Sequence, residues 1–222
     1  MSRRGRAAVA GGAVLLAVAL GACTPSGAGS AVVVGDQRVS NDEVRTVADR
    51  LYTADASPFA DDRPAAVSYT LNYLLEYALL DEIAAAQDPP ITVDQSEIEA
   101  VRGQLVRAGG AEGLGQAFLE QGVAPGTEDR YLRWYLIQTK LGERLVPGVQ
   151  GEQLQAQRQQ AVEEVRRQFV DRVGVEVSPR YGDYDASAGA LSPLASGGLA
   201  TGATPTPAVG EPGAGTEGAG AG

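Results

Sequence analysis

A chain of 222 residues with one cysteine and no histidine has no means of building a Ser-His-Asp or Cys-His centre, an internal disulfide or a His-ligated zinc site. Its formal net charge of −10, from 28 Asp and Glu against 18 Lys and Arg, offers no basic stripe for nucleic acid. The acid pairs Asp42-Glu43, Asp61-Asp62 and Glu163-Glu164 are adjacent in sequence. On a helix such neighbours diverge by about 100°, so they read as solvated faces rather than a clamp on substrate. Neither cofactor nor metal nor catalysis is expected.

The chain opens on Arg3, Arg4 and Arg6, followed by an uncharged Ala/Val/Leu-rich run and then Leu20-Gly21-Ala22-Cys23. The run is shorter than the ~20 apolar residues a spanning helix needs, and it ends in small residues before the cysteine. This layout resembles a bacterial lipoprotein signal, in which residues 1–22 are removed and Cys23 is acylated. The other reading is an ordinary secretory signal with an incidental cysteine. Arg3-Arg4 is a weak twin-arginine signal, because no bulky apolar residue follows it. The expected place is the extracytoplasmic face of a cell membrane, with contact to that membrane through the lipid anchor. Residues 23–30 form a Pro/Gly/Ser tether, 31–185 carry a folded pattern, and 186–222 have the Gly/Ala/Pro-rich composition of a disordered tail.

Within the domain, Ala31-Val32-Val33-Val34, Gly35-Asp36-Gln37 and Arg38-Val39 predict a hairpin, from a β-branched run followed by turn chemistry. Ser40 lies three residues before Glu43, the spacing of a capping box, and predicts a helix with Val44, Val47 and Leu51 inward. Pro64 opens a second helix, which Asp88-Pro89-Pro90 ends after Gln87. A third starts near Asp94 with Ile98, Val101 and Leu105 at helical spacing. Gly109, Gly110, Gly113 and Gly115 follow no strand and precede no Lys-Ser/Thr, so they predict a flexible helix connection rather than a phosphate loop. A short fourth helix carries Leu114, Phe118 and Leu119, with Gly122 at its C-terminal cap. A fifth spans 127–145. A polar sixth spans 152–172 with Leu154, Ala161, Val165 and Phe169 inward. Gly174 closes it and Val175-Glu176-Val177 alternates like a strand. Asp183-Tyr184-Asp185 lacks the third ligand and the glycine of a calcium loop. The expected fold is mainly α, with one small β-sheet that pairs the N-terminal hairpin with the C-terminal strand.

This order resembles the N-terminal chaperone domain of SurA-like and PrsA-like foldases. The resemblance rests on Val33-Val34-Gly35-Asp36-Gln37-Arg38-Val39-Ser40-Asn41-Asp42-Glu43-Val44, on Phe118-Leu119-Glu120-Gln121-Gly122-Val123 with Asp129-Arg130-Tyr131-Leu132-Arg133, on the helix from Leu136 to Leu145, and on Val175-Glu176-Val177-Ser178-Pro179-Arg180-Tyr181-Gly182. Isomerase members carry a parvulin domain, whose site relies on histidines, between the last two helices. Here Val146-Pro147-Gly148-Val149-Gln150-Gly151 joins those helices directly. The resemblance therefore implies polypeptide holding without prolyl isomerase chemistry.

Candidate contact residues are aromatic. Tyr69, Tyr73 and Tyr77 recur at four-residue steps on one helix stripe, and Tyr131 and Trp134 stand near the start of the fifth helix. Two readings are open: both stripes are the buried centre of the bundle, or part of one lines a groove for extended apolar segments. Two function classes follow. One is an anchored chaperone-like module for unfolded or exported polypeptides, which needs an open apolar groove. The other is a structural or assembly lipoprotein dedicated to one envelope partner, which needs a smaller site with fixed polar contacts.

Overall fold

A computed structural model of the protein describes residues 29–148, 151–186 and 188–192. The leader, Cys23, most of the tether and the tail from residue 193 lie outside these residues, and so does the lipidation expected at Cys23.

The β-branched run forms β1 (Ser30–Val34), and Gly35, at φ 55°, turns it into β2 (Gln37–Ser40). The turn docks on the rest of the fold through Asp36 N–H, which donates to Glu82 Oε1 at 3.2 Å. Ser40 ends β2 and caps α1 (Asn41–Thr53): its hydroxyl accepts from Glu43 N–H at 3.0 Å. The Glu43 carboxylate pairs with Arg130 on a distant helix. Val44, Val47 and Leu51 are buried, as their spacing demands.

α2 (Arg63–Ala85) begins where Asp62 accepts from Ala65 N–H at 2.9 Å and Pro64 fills the first turn, where a missing N–H costs nothing. It is the axis of the molecule. Leu71, Leu74, Leu75, Leu79, Leu80 and Ile83 are all buried, so the helix is covered nearly all round. α1 packs along it, the hairpin covers part of it, and α5 (Glu128–Leu145) and α6 (Glu152–Val173) take the remaining sides. α3 (Gln95–Gly109) and α4 (Ala111–Glu120) pack on each other, and α3 also packs on α5.

After α6, Gly174 takes φ 81° and the chain enters β3 (Val175–Val177). β3 runs antiparallel to β1, with Val32 opposite Val177 and Val34 opposite Val175, and the sheet order is β2-β1-β3. The first strand of the domain is thus the middle of its sheet. The mainly helical architecture and the pairing of the two ends are as expected.

Arg158 fixes the joint between α5 and α6. It is 8% exposed and lies on the inward stripe of α6 between Leu154 and Ala161. Its Nε donates to Val146 O at 3.1 Å and its Nη2 to Gly148 O at 3.2 Å. Gly142 makes room for it, since a Cβ there would stand 3.1 Å from the Arg158 Cβ. One buried guanidinium therefore satisfies the carbonyls at the frayed end of α5.

Two expectations need correction. The glycine cluster is not a flexible connection: α3 runs to Gly109, Gly110 alone breaks the helix at φ 75°, and Gly113 and Gly115 lie inside α4. Leu114, Phe118 and Leu119, which pack on the core, hold that helix in place despite its glycines. Leu105 shares the spacing of Ile98 and Val101 but is 38% exposed, whereas Ile98 is buried and Val101 packs on the core. The folded part does not stop at residue 185. Asp183-Tyr184-Asp185 forms β4 (Asp183–Asp185), which pairs antiparallel with β5 (Ala190–Ser192), inside the stretch expected to be disordered tail. Leu191 packs on the core and supplies the apolar anchor that a small-residue tract otherwise lacks.

Candidate functional site

The two aromatic stripes meet. Tyr69, Tyr73 and Tyr77 project from α2, Tyr131 and Trp134 from α5, and their rings form one ladder. Centroids are 5.7 Å apart from Tyr69 to Tyr73, 5.2 Å from Tyr73 to Tyr77, 5.9 Å from Tyr77 to Trp134 and 5.7 Å from Trp134 to Tyr131. Phe59 extends one end at 4.8 Å from Tyr69, and Phe118 the other at 5.7 Å from Tyr131. All five candidate residues are therefore neighbours, in tilted geometries that aromatic quadrupoles favour.

The ladder is not an open groove. Tyr73 and Tyr77 are 8% and 5% exposed, so these two belong to the core and not to a contact surface. Tyr69, Tyr131 and Trp134 are partly covered, and the turn between α4 and α5 lies over Tyr69 and Tyr131. Tyr69 Oη donates to Gln121 O at 2.7 Å and Tyr131 Oη to Gln121 Oε1 at 2.8 Å. Gly122, at φ 78°, presses so close that a Cβ would stand 2.5 Å from the Tyr69 ring. Arg130 lies over the Tyr77 ring at 5.4 Å while pairing with Glu43. Burial pushes the Tyr69 hydroxyl up to about 12 and those of Tyr73 and Tyr77 further, so none of them ionises near neutral pH. The ladder offers packing, not acid–base chemistry.

A second, polar cluster joins α2 to α6. Arg166 of α6 pairs with Glu76 and, at 2.8 Å, with Glu163. Tyr184 of β4 completes the group, its hydroxyl pushed up to about 12 by burial in spite of Arg166. Two carboxylates share one guanidinium there. Burial pushes the Glu76 carboxyl up to about 7 from an ordinary 4.5, against the pull of Arg166 and with a smaller push from Glu163. A carboxyl whose folded pKa is raised stabilises the fold most below its unfolded value, and that contribution is lost as pH rises through the folded value. Unfolding stability should therefore fall between about pH 5 and pH 8 by at most ~3 kcal/mol from this group, and Glu76→Gln should flatten the decline. Denaturant titrations of both proteins across that range check it; parallel curves would remove Glu76 as the cause.

A cleft of about 300 Å³ beside α5 is lined by Pro90, Ile91, Thr92, Lys140, Glu143 and Arg144. Its cations are engaged: Lys140 Nζ donates to Thr92 O at 2.7 Å and pairs with Glu97 at 2.6 Å, and Arg144 Nη1 donates to Pro89 O at 2.5 Å. Among the described residues no group of three or more His, Cys, Asp or Glu is placed to hold a metal ion. No family model, no curated protein and no solved structure matches the chain.

Sequence reasoning missed Phe59, Gln121 and the Glu76–Arg166 cluster. Phe59 stands in an irregular segment where no period marks it. Arg166 and Glu76 are 90 positions apart and meet only through the packing of α6 on α2. Arg158 carried a legible signal, a charge on an otherwise apolar stripe.

Proposed function

We propose that this chain is a lipid-anchored extracytoplasmic protein whose domain, resembling that of SurA-like foldases, holds a polypeptide partner at a defined site and performs no isomerisation. What carries the choice of a dedicated partner over promiscuous holding is the covering of the aromatic ladder. Among the described residues, the large apolar side chains more than a third exposed are Leu105 at 38% and Val173 at 40%. Two separated side chains do not make the continuous apolar patch that indiscriminate capture of unfolded chains requires. Fixed polar surface is plentiful instead, and dedicated interfaces carry such contacts at their rims. The anchoring rests on Leu20-Gly21-Ala22-Cys23 and on the basic, then apolar, leader before it.

Two measurements test this reading. Stoichiometric amounts of the purified domain should leave the aggregation of unrelated unfolded proteins nearly unchanged. Suppression of several such clients would return the function to general chaperoning. In cells, Cys23→Ala should leave the membrane fraction or remain unprocessed, since stable attachment takes two or more acyl chains at that residue. A processed Cys23→Ala protein still held at the membrane would count against the anchor.

A further inference from the structure

β5 touches the body in an unusual way: the side chains that receive it read its backbone. Asn72 of α2 accepts the Leu191 N–H through Oδ1 at 3.1 Å. Its amide is oriented for this by its own Nδ2, which donates to Ser68 O at 2.9 Å. Arg166 of α6 reaches Gly189 O with Nη1 at 3.5 Å. Leu191 N–H lies on the edge of β5 not paired with β4, and Gly189, at φ 64° in the turn that leads into β5, presents its carbonyl just before the strand begins, so the two side chains together read a turn and the strand that follows it. Such main-chain recognition supplies affinity without regard to sequence, and side-chain pockets add the selection.

Both kinds of selection are present. A Cβ on Gly189 would stand 2.1 Å from Arg166 Nη2, and the residue takes φ 64°, so the position admits glycine. Two residues on, Leu191 packs its side chain against the core. Arg166 is held by Glu76 and Glu163 on α2 and α6 themselves, so the receiving surface is organised without help from β5. The segment also joins late: β2-β1-β3 is complete by Val177, and β4 and β5 form a separate two-stranded sheet after it. Leaving would not break a hydrogen bond of the three-stranded sheet.

We propose that the surface shared by α2 and α6, built on Asn72 and Arg166, is a docking site for a polypeptide that turns at a glycine and then extends, with an apolar side chain two residues after that glycine, and that residues 189–191 of this chain occupy it in cis. The partner then displaces the chain's own segment. Its external occupant rests on the polypeptide-holding reading above, whereas the site itself does not.

The test uses the whole chain and a fluorescent peptide with the sequence of residues 183–193. Wild-type protein should bind it poorly, since a site covered by its own segment for ~99% of the time weakens apparent affinity ~100-fold. Gly189→Val, which cannot seat its own segment against Arg166, should bind the peptide at least ~10-fold more tightly than wild type. Adding Asn72→Ala to that variant, or replacing glycine by valine in the peptide, should reverse the gain. Leu191→Asp serves as a second displaced form if Gly189→Val does not fold. Folded variants, with wild-type near-ultraviolet spectra, that bind no more tightly than wild type overturn the proposal. Loss of folding in both also overturns it, because the segment would then be part of the core. Dimers of the wild-type chain that exchange these segments overturn it in favour of self-association. Because no client and no membrane enter the experiment, its failure is separable from failure of the polypeptide-holding function.

Discussion

Tyr77→Ala should destabilise the domain by about 3–5 kcal/mol, the loss typical of a large aromatic truncated in a packed interior. The ring is 5% exposed and sits where the two halves of the ladder join, 5.2 Å from Tyr73 and 5.9 Å from Trp134. Its removal also leaves Arg130 without the aromatic face it covers at 5.4 Å. Because α2 and α5 meet across this ring, the cavity cannot close without moving one of these two helices. Tyr73→Phe offers the contrast. Among the described residues the buried Tyr73 hydroxyl has no hydrogen-bond partner in good geometry, although the Thr127 and Thr70 hydroxyls lie beside it. Deleting an unsatisfied buried oxygen while keeping the ring should be neutral or stabilising by up to ~1 kcal/mol. Equilibrium denaturation of the two variants measures both. A Tyr77→Ala protein within ~1 kcal/mol of wild type would mean that the ladder is open in solution, and the apolar groove would return as the candidate surface.

The parts of this fold that were legible in the sequence are those whose information is local. Ser40 three residues before Glu43, Pro64 in the first turn of α2, and Gly174 after Phe169-Val170 each set a boundary within a few residues of themselves, and the structure uses all three. The apolar period of α2 was equally clear. Its meaning was not, because a helix apolar all round fits a buried axis and a groove wall alike, and only the position of Gln121 and Gly122 over Tyr69 separates them. α3 shows the limit of periodicity in another way: Ile98, Val101 and Leu105 share a spacing, yet Leu105 is 38% exposed. β4 and β5 escaped for a compositional reason. Two three-residue strands among Gly, Ala, Ser and Asp have almost no β-propensity, and their pairing depends on Leu191 packing and on the Asn72 amide 119 positions earlier. The same distance hid the Glu76–Arg166 cluster, so the polar features that single out the α2–α6 surface could not be read before the helices were placed.

Truncation after Arg172 should unfold the domain or lower its Tm by more than about 10 °C, whereas truncation after Ser192 should leave it near wild type. The first cut removes β3 and with it three ladder positions on β1, at Val32, Val33 and Val34. β1 is the central strand, so losing β3 exposes backbone groups beside two of the most buried valines, Val32 and Val34. The bond from Ser178 N–H to Ala31 O at 2.8 Å goes too. At ~2–4 °C of Tm per kcal/mol for a domain of this size, a loss of only ~4 kcal/mol reaches the expected shift. Truncation after Asp185 is the informative intermediate. It removes β5 but keeps the three-stranded sheet, and it strips Arg166 and Asn72 of their backbone partners at Gly189 and Leu191 without exposing a sheet edge of the main core. Its Tm should therefore fall by no more than about 4 °C, far closer to the Ser192 form than to the Arg172 form. Thermal unfolding of the three truncations by circular dichroism ranks them directly. Equal midpoints for the Arg172 and Ser192 forms would deny β3 its role in closing the fold. A Tm of the Asp185 form as low as that of the Arg172 form would make β5 as integral to the core as β3.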